Sequence, residues 1–330
     1  MAVFKKILSV SFRVAISLAL LVFLFRQVDK RTLLALVKNA DKPLLFLGFI
    51  VFFLTYPLCL FRWEILLKAA KIHLPLKRII ISFSGGIFFS LFLPSTIGGD
   101  LVRSVDLASH TQKPKEVVAT VLLDRLSGYI GLTTIALFAV IFGWRLVGDI
   151  SILIPVFIIT TLLVVILLVL FNSYAYSKVN QLLRSPNAGR IREAITSLHQ
   201  EIHLFSRDKK VILKNIGLSM LVQLTSPLAF YLIGRSLGIQ ISLAYYYVFI
   251  PIIGAITLLP ISIGGLGLRD ASTIYFFAKA GVGKNLAFAM SLLNFSFIII
   301  CGSLGGLIYV LTVHHRRVQR HKSPPVSPHK

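Results

Sequence analysis

Arg103 and Arg269 are the residues of this chain best suited to chemistry, because each closes one of two copies of the same motif. Leu93-Pro94-Ser95-Thr96-Ile97-Gly98-Gly99-Asp100-Leu101-Val102-Arg103 aligns without a gap on Leu259-Pro260-Ile261-Ser262-Ile263-Gly264-Gly265-Leu266-Gly267-Leu268-Arg269. The two copies stand half a chain apart. A guanidinium is always charged and grips phosphate through two parallel N–H donors. Glycines ahead of it let backbone N–H groups come close to an anion. Arg103, Arg269, Gly98, Gly99, Gly264 and Gly265 are therefore candidate substrate-binding residues. The structural alternative is an arginine at the lipid interface, or one paired with a carboxylate.

Four charged neighbours form a candidate supporting network. Asp100 is expected to cap a helix over 101–109 or to pair with Arg103. Asp270 directly follows Arg269 and can pair with another element. Asp124 and Arg125 lie early in an apolar run, where charge is expensive and functional by default. They either pair locally near the interface or neutralise Asp100 and Arg103. Arg13, inside the first apolar run, reads as a snorkelling residue. His199 and His203 flank Glu201 without a third metal ligand, so a solvated helix face is expected there. No catalytic residue, metal site or cofactor motif is assigned: the chain shows no nucleophile elbow, P-loop or dinucleotide fingerprint.

The elements that must hold these residues are set by composition. The chain is 56% hydrophobic and 14% charged, with mean hydropathy +0.84. Apolar runs approach the roughly 20 residues that span a bilayer. The expected fold class is an all-α integral membrane protein, a polytopic bundle. Spans are predicted at about 7–25, 43–61, 117–142, 150–171, 211–234 and 286–311. Shorter apolar segments, 79–93 and 244–259, run into the repeated motif, where Pro94, Pro260 and the Gly pairs break helices. Both read as entering arms of re-entrant hairpins, facing protein rather than lipid. The segment 62–78 is expected to lie in the interface with Trp63 as its anchor.

Charge sets the expected orientation. Lys and Arg number 35 against 12 Asp and Glu, a net charge of +23. In an apolar chain this reads as positive-inside bias and attraction to anionic lipid, with no nucleic-acid partner. With six spans and cytoplasmic termini, loops on the cytoplasmic side carry about 22 Lys and Arg against about 10 opposite. The first hairpin then enters from the cytoplasm and the second from outside. The chain is thus expected to contain two inverted repeats, about 1–145 and 205–312. A cytoplasmic segment at 172–210, with an amphipathic helix near 190–205, joins them, and a basic tail follows from 313, disordered after about 320. Cys59 and Cys301 sit in apolar runs and define no disulfide framework.

Leu93-Pro94, Gly98-Gly99-Asp100 with Arg103, Asp124-Arg125-Leu126, and Ile263-Gly264-Gly265-Leu266-Gly267 with Arg269-Asp270 resemble the flippase-like family, also called the lysylphosphatidylglycerol synthase transmembrane region. The resemblance covers about 10–312. It implies movement of an anionic phospholipid or lipid-linked head group between leaflets, in the plasma (inner) membrane. The separate aminoacyl-transferase domain of longer members is not matched, so no synthase activity is expected. Anionic membrane lipids are the implied partners; a separate lipid-synthesising enzyme and a homo-oligomer are compatible with it. The rival readings are a secondary transporter of a small soluble anion and a membrane-embedded lipid-modifying transferase.

Overall fold

The computed structural model describes residues 30–93, 96–147, 153–182, 208–257 and 265–322. The expected first span with Arg13, the hairpin breakers Pro94 and Pro260, Gly264, and the segment 190–205 with its histidines lie outside these residues. So does the tail beyond 322. Every regular element described is helical: α1 (Lys30–Lys38), α2 (Lys42–Ala69), α3 (Leu76–Phe92), α4 (Thr96–Ala108), α5 (Pro114–Val147), α6 (Leu153–Phe171), α7 (Ser173–Leu182), α8 (Lys209–Ser236), α9 (Leu243–Thr257), α10 (Leu268–Lys279) and α11 (Lys284–Lys322). Four of the described stretches are long and apolar enough to cross a membrane: Lys42–Ala69, Pro114–Arg145, Lys209–Ser236 and Lys284–Thr312. They match four of the predicted spans. Outward residues such as Phe46, Phe53, Phe157, Leu162, Leu307 and Leu311 form an apolar exterior, as expected where lipid is the solvent.

Local sequence explains where the helices start. Asp41 caps α2, its carboxylate accepting the Leu44 N–H at 3.0 Å, with Pro43 in the first turn. Asp208 caps α8 in the same way. The basic stretch 30–38, expected as loop, is a helix whose Leu33, Leu36 and Val37 pack on the core. Their i, i+3, i+4 spacing makes one apolar face and leaves Lys38 outside.

Contacts along the chain fix how the helices run. Gly48 packs on Leu232, Thr55 meets Thr225 and Arg62 meets Asn215, so α2 and α8 are antiparallel. α3 and α4 form a tight antiparallel hairpin: Gly86 faces Gly99 and Arg103, and Arg78 pairs with Asp106 at 2.6 Å. The hairpin's two ends return together beside the end of α2, where Lys113 Nζ donates to Lys71 O. α9 and α10 form a second antiparallel hairpin, with Tyr246 on Phe277 at 5.0 Å and Thr257 on Gly265.

The hairpins pack on helices of the other half. Gly85, Phe88 and Leu91 of α3 lie on Tyr309, Gly306 and Gly302 of α11. Val248 and Gly254 of α9 lie on Gly143 and Leu132 of α5. The small residues let backbones approach where no water drives association.

Three expectations change. The segment 62–78 does not lie in the interface. α2 runs on to Ala69, and Trp63 is fully buried, donating through Nε1 to Thr120. Arg62 looked like the end of a span because a lone charge there is costly, but Asp124 neutralises it inside the protein. The Gly98-Gly99 pair does not break the chain, because α4 already begins at Thr96. Asp100 is therefore inside α4 and does not cap it. In the second copy the glycines do mark the turn: Gly265 and Gly267 have φ of +77° and +76°, a region closed to most side chains.

Candidate functional site

Five charged side chains from three helices form one network at the first hairpin, with Arg62, Arg103 and Asp124 buried and Arg125 partly exposed. Asp124 on α5 accepts from Arg62 Nε at 2.7 Å and from Arg103 Nη2 at 2.9 Å. Arg103 Nε donates to Asp100 Oδ1 at 3.0 Å, and Arg125 Nε donates to the other Asp100 oxygen. Ser219 on α8 accepts from Arg62 Nη1 at 3.1 Å, and Asn215 donates to the Arg62 carbonyl. The Arg103 guanidinium also stands 4.8 Å from the Trp63 ring, a favourable cation–π distance. Both carboxylates are bridged twice, so the network ties α2, α4, α5 and α8 together.

This network lines a cavity of about 260 Å³. Arg62, Arg103 and Arg125 face it with Asp100 and Asp124, beside Tyr56, Cys59, Gly86 and Ser90. Among these lining residues, three guanidinium groups against two carboxylates leave one positive charge.

The second hairpin has a cavity of about 200 Å³, lined by Arg269 with Gln223, Ser226, Thr257 and Asn294 among apolar side chains. Phe52 lines both cavities. Here the arginine is held differently. Asp270 Oδ1 is 4.0 Å from Arg269 Nε, too far for a hydrogen bond. The Asp270 carboxylate accepts instead from the Gly267 N–H at 2.9 Å and from the Ser291 hydroxyl. It caps α10 and ties it to α11. Among the described residues, Arg269 Nε and Nη2 are buried without a hydrogen-bond partner, and the guanidinium lies 5.3 Å from the Phe295 ring.

The expected site residues are thus brought to two places. Arg103, Asp100, Asp124 and Arg125 meet in the first cavity, and Arg269 stands in the second with Asp270 behind it. Gly98 packs on Leu93, while Gly99 packs on Ser90 and Gly86, so both lie at the α3–α4 contact. Gly265 packs on Thr257.

Residues 10–306 match the profile of the lysylphosphatidylglycerol synthase TM region family. The chain belongs to this family. It is 26% identical over 282 residues to a UPF0104 membrane protein of Methanothermobacter thermautotrophicus, covering 78% of this chain and 82% of the relative. A UPF0104 membrane protein of Pyrococcus horikoshii is 23% identical over 305 residues, covering 85% of this chain and 90% of that protein. Membership agrees with the helical bundle and its apolar exterior. This is an integral membrane protein.

Family motifs pointed to the arginines after the Gly pairs, but several buried polar residues carried no such signal. Arg62 and Trp63 sat in a stretch of mixed apolar and basic residues. Ser219 and Asn215 are four apart on α8 and share its buried face, the only pattern that could have revealed them. Arg78, Asp106, Ser82 and His110 make a second polar cluster at the mouth of the first hairpin. Their spacing, Arg78 to Ser82 along α3 and Asp106 near the end of α4 to His110 just past it, becomes meaningful only once α3 and α4 are antiparallel.

Proposed function

We propose that this protein moves an anionic phospholipid or lipid-linked head group between leaflets. The observation that carries the reading is Arg269, which lines a cavity with its Nε and Nη2 buried and without a hydrogen-bond partner among the described residues. Burying such a group is costly unless an acceptor takes it in some state of the working cycle. A charged head cannot cross hydrocarbon unaided, whereas acyl chains can stay in lipid. Two cavities that share Phe52 in their lining, each with arginine, would supply polar stations for such a head group.

Inverted repeats would give those cavities alternate openings. Several features support them. Helix α3 has 17 residues and α9 has 15, about 22–26 Å at 1.5 Å per residue, against a hydrocarbon core of about 30 Å. Each runs into a partner helix that folds back beside it. The corresponding helices α2 and α8 are antiparallel, so the hairpins that follow them enter from opposite ends. Laying one motif copy on the other, Leu93 on Leu259, exchanges the α3–α11 contact with the α9–α5 contact. On this reading 94–116 faces the cytoplasm with both termini, 260–285 faces the other side, and the protein sits in the plasma (inner) membrane. Single cysteines at Thr111 and Gly283, in a Cys59/Cys301-free background, should label from opposite sides of sealed vesicles. Labelling of both from one side would exclude the arrangement.

Transport would be passive or driven by membrane potential or protons, and the protein is read as a non-enzyme. Reconstitution with fluorescent or reducible lipid probes tests the function. Leaflet exchange above that of empty vesicles is expected for anionic lipids. Uptake of a soluble anion without lipid exchange would favour the secondary-transporter reading, and a modified lipid product would favour a transferase.

A further inference from the structure

The two copies of the motif are electrostatically unequal. In the first, Arg103 is answered by Asp100 and Asp124. With Arg103 laid on Arg269, the positions equivalent to those aspartates are Leu266 and Met290. The second copy therefore lacks both carboxylates that hydrogen-bond Arg103 in the first. Its own Asp270 stands where the first copy has Ser104, and its oxygens are taken by Gly267 and Ser291.

The two Arg269 nitrogens without a partner among the described residues are Nε and Nη2. They lie on one edge of the guanidinium, and together they make a two-pronged donor for two oxygens of a single acidic group. Asn294, in the same cavity, has its Oδ1 buried and without a partner among the described residues as well. Across both cavities and Asp270, four arginines face three aspartates. Arg269 and Asp270 balance in number and the surplus positive charge belongs to the first cavity, so the count holds for the two neighbouring cavities taken together: one negative charge restores neutrality, whereas a second would be buried in excess.

We propose that the ligand site is the Arg269 cavity alone, that it takes one singly charged phosphodiester, and that Arg103 is a positioning residue that braces the first hairpin. This rests on the reading of an anion-handling membrane protein and departs from symmetric use of the two arginines. A phosphodiester carries one charge at neutral pH and offers two free oxygens to the fork. A phosphomonoester carries up to two charges near neutrality and fits the balance less well.

The proposal gives different outcomes for equivalent positions. Removing the Arg103 guanidinium leaves Asp100 and Asp124 short of a partner, so Arg103→Gln should lower the melting temperature of the ligand-free protein by several degrees, on the order of 5 °C. Arg269→Gln removes a charge with no hydrogen-bond partner among the described residues, and Asp270 keeps its Gly267 and Ser291 donors, so this variant should melt close to the wild type.

The experiment is thermal unfolding and binding titration of the purified full chain in non-ionic detergent at pH 8. The probes are dihexanoyl phosphatidylglycerol, dihexanoyl phosphatidic acid, dimethyl phosphate and inorganic phosphate. A phosphodiester probe should raise the wild-type melting temperature, and Arg269→Gln should weaken its binding by roughly tenfold or more. Arg235→Gln, at an exposed position, controls for general charge. Met290→Asp, which supplies the missing carboxylate, should also remove the ligand-induced shift. A response to dimethyl phosphate as well as to the lipid identifies the phosphodiester itself as the ligand. A response to the lipid alone adds the chains to the site. Both support the proposal.

Equal binding by wild type and Arg269→Gln overturns the assignment, as does absence of a shift with either phosphodiester. Tighter binding of phosphatidic acid or inorganic phosphate overturns the single-charge assignment. Arg269-dependent binding without leaflet exchange in vesicles would leave this site standing and refute translocation. Exchange at the wild-type rate in Arg269→Gln would do the reverse.

Discussion

Asp124→Ala should destabilise the folded protein by about 3–5 kcal/mol, the range found when one partner is removed from a buried ion pair. Asp124 is 2% exposed, and its two oxygens serve two different guanidinium groups. Arg62 reaches it from α2 and Arg103 from α4. Truncation strands both charges in a cavity that already has one positive charge in excess. Arg103 keeps Asp100 and the Trp63 ring, but Arg62 keeps only the Ser219 hydroxyl as a side-chain acceptor among the described residues. The charge, rather than the lost volume, is the expected cause. Asp124→Asn keeps the shape and one acceptor, so it should recover part of the loss. Replacing the unit with apolar residues, Arg62→Met together with Asp124→Leu and Arg103→Met, should recover more than any single change, because fewer buried charges are left uncompensated. Melting of the detergent-solubilised protein, followed by size-exclusion recovery after heating, measures all of these. If Asp124→Ala melts within a degree of the wild type, the network does not brace the bundle.

Gly99→Ala is expected to open the first hairpin, at a cost in the upper part of the ~1–3 kcal/mol range for overpacking. A Cβ on Gly99 would lie 1.9 Å from Ser90 Oγ and 2.2 Å from the Gly86 carbonyl oxygen. The hydroxyl can rotate away, but the carbonyl is backbone inside α3 and moves only if the helices separate. Separation would also disturb Arg103, because the Arg103 side chain packs directly over Gly86. The substitution should therefore lower the melting temperature and, on the proposed function, lipid exchange in reconstituted vesicles. Gly217→Ala is the matched control: nothing lies within 4 Å of its added methyl, and helix interiors favour Ala over Gly by about 0.5–1 kcal/mol. It should leave stability unchanged or slightly raised. Similar melting of Gly99→Ala and Gly217→Ala would show that the α3–α4 contact gives way easily.

Both effects arise from contacts that the chain order hides. Asp124 lies on a different helix from Arg62 and from Arg103, and no spacing rule links either pair. The Gly pair was readable as something special, but the reason differed between copies. In the first copy, Gly98 and Gly99 are helical and exist for close packing. In the second, Gly265 and Gly267 take positive φ and turn the chain into α10. A single motif therefore performs two mechanical tasks. An alignment of residue types alone assigned both copies the same one.

The sequence by itself determined the solvent and the scaffold. Apolar runs of bilayer length require helices, because an unpaired backbone cannot stay in hydrocarbon. The repeated Leu-Pro and Gly-Gly-Arg elements, half a chain apart, marked both hairpins and both motif arginines. Only the tertiary structure decided which charges are answered. Neutralisation depends on through-space distances of a few ångströms, and these are set by how α2, α4, α5 and α8 converge. That convergence places Asp124 between two arginines and turns Trp63 from an expected interface anchor into a buried platform. It also leaves the fork of Arg269 open, because Met290 and Leu266 offer no charge where the first copy has its aspartates.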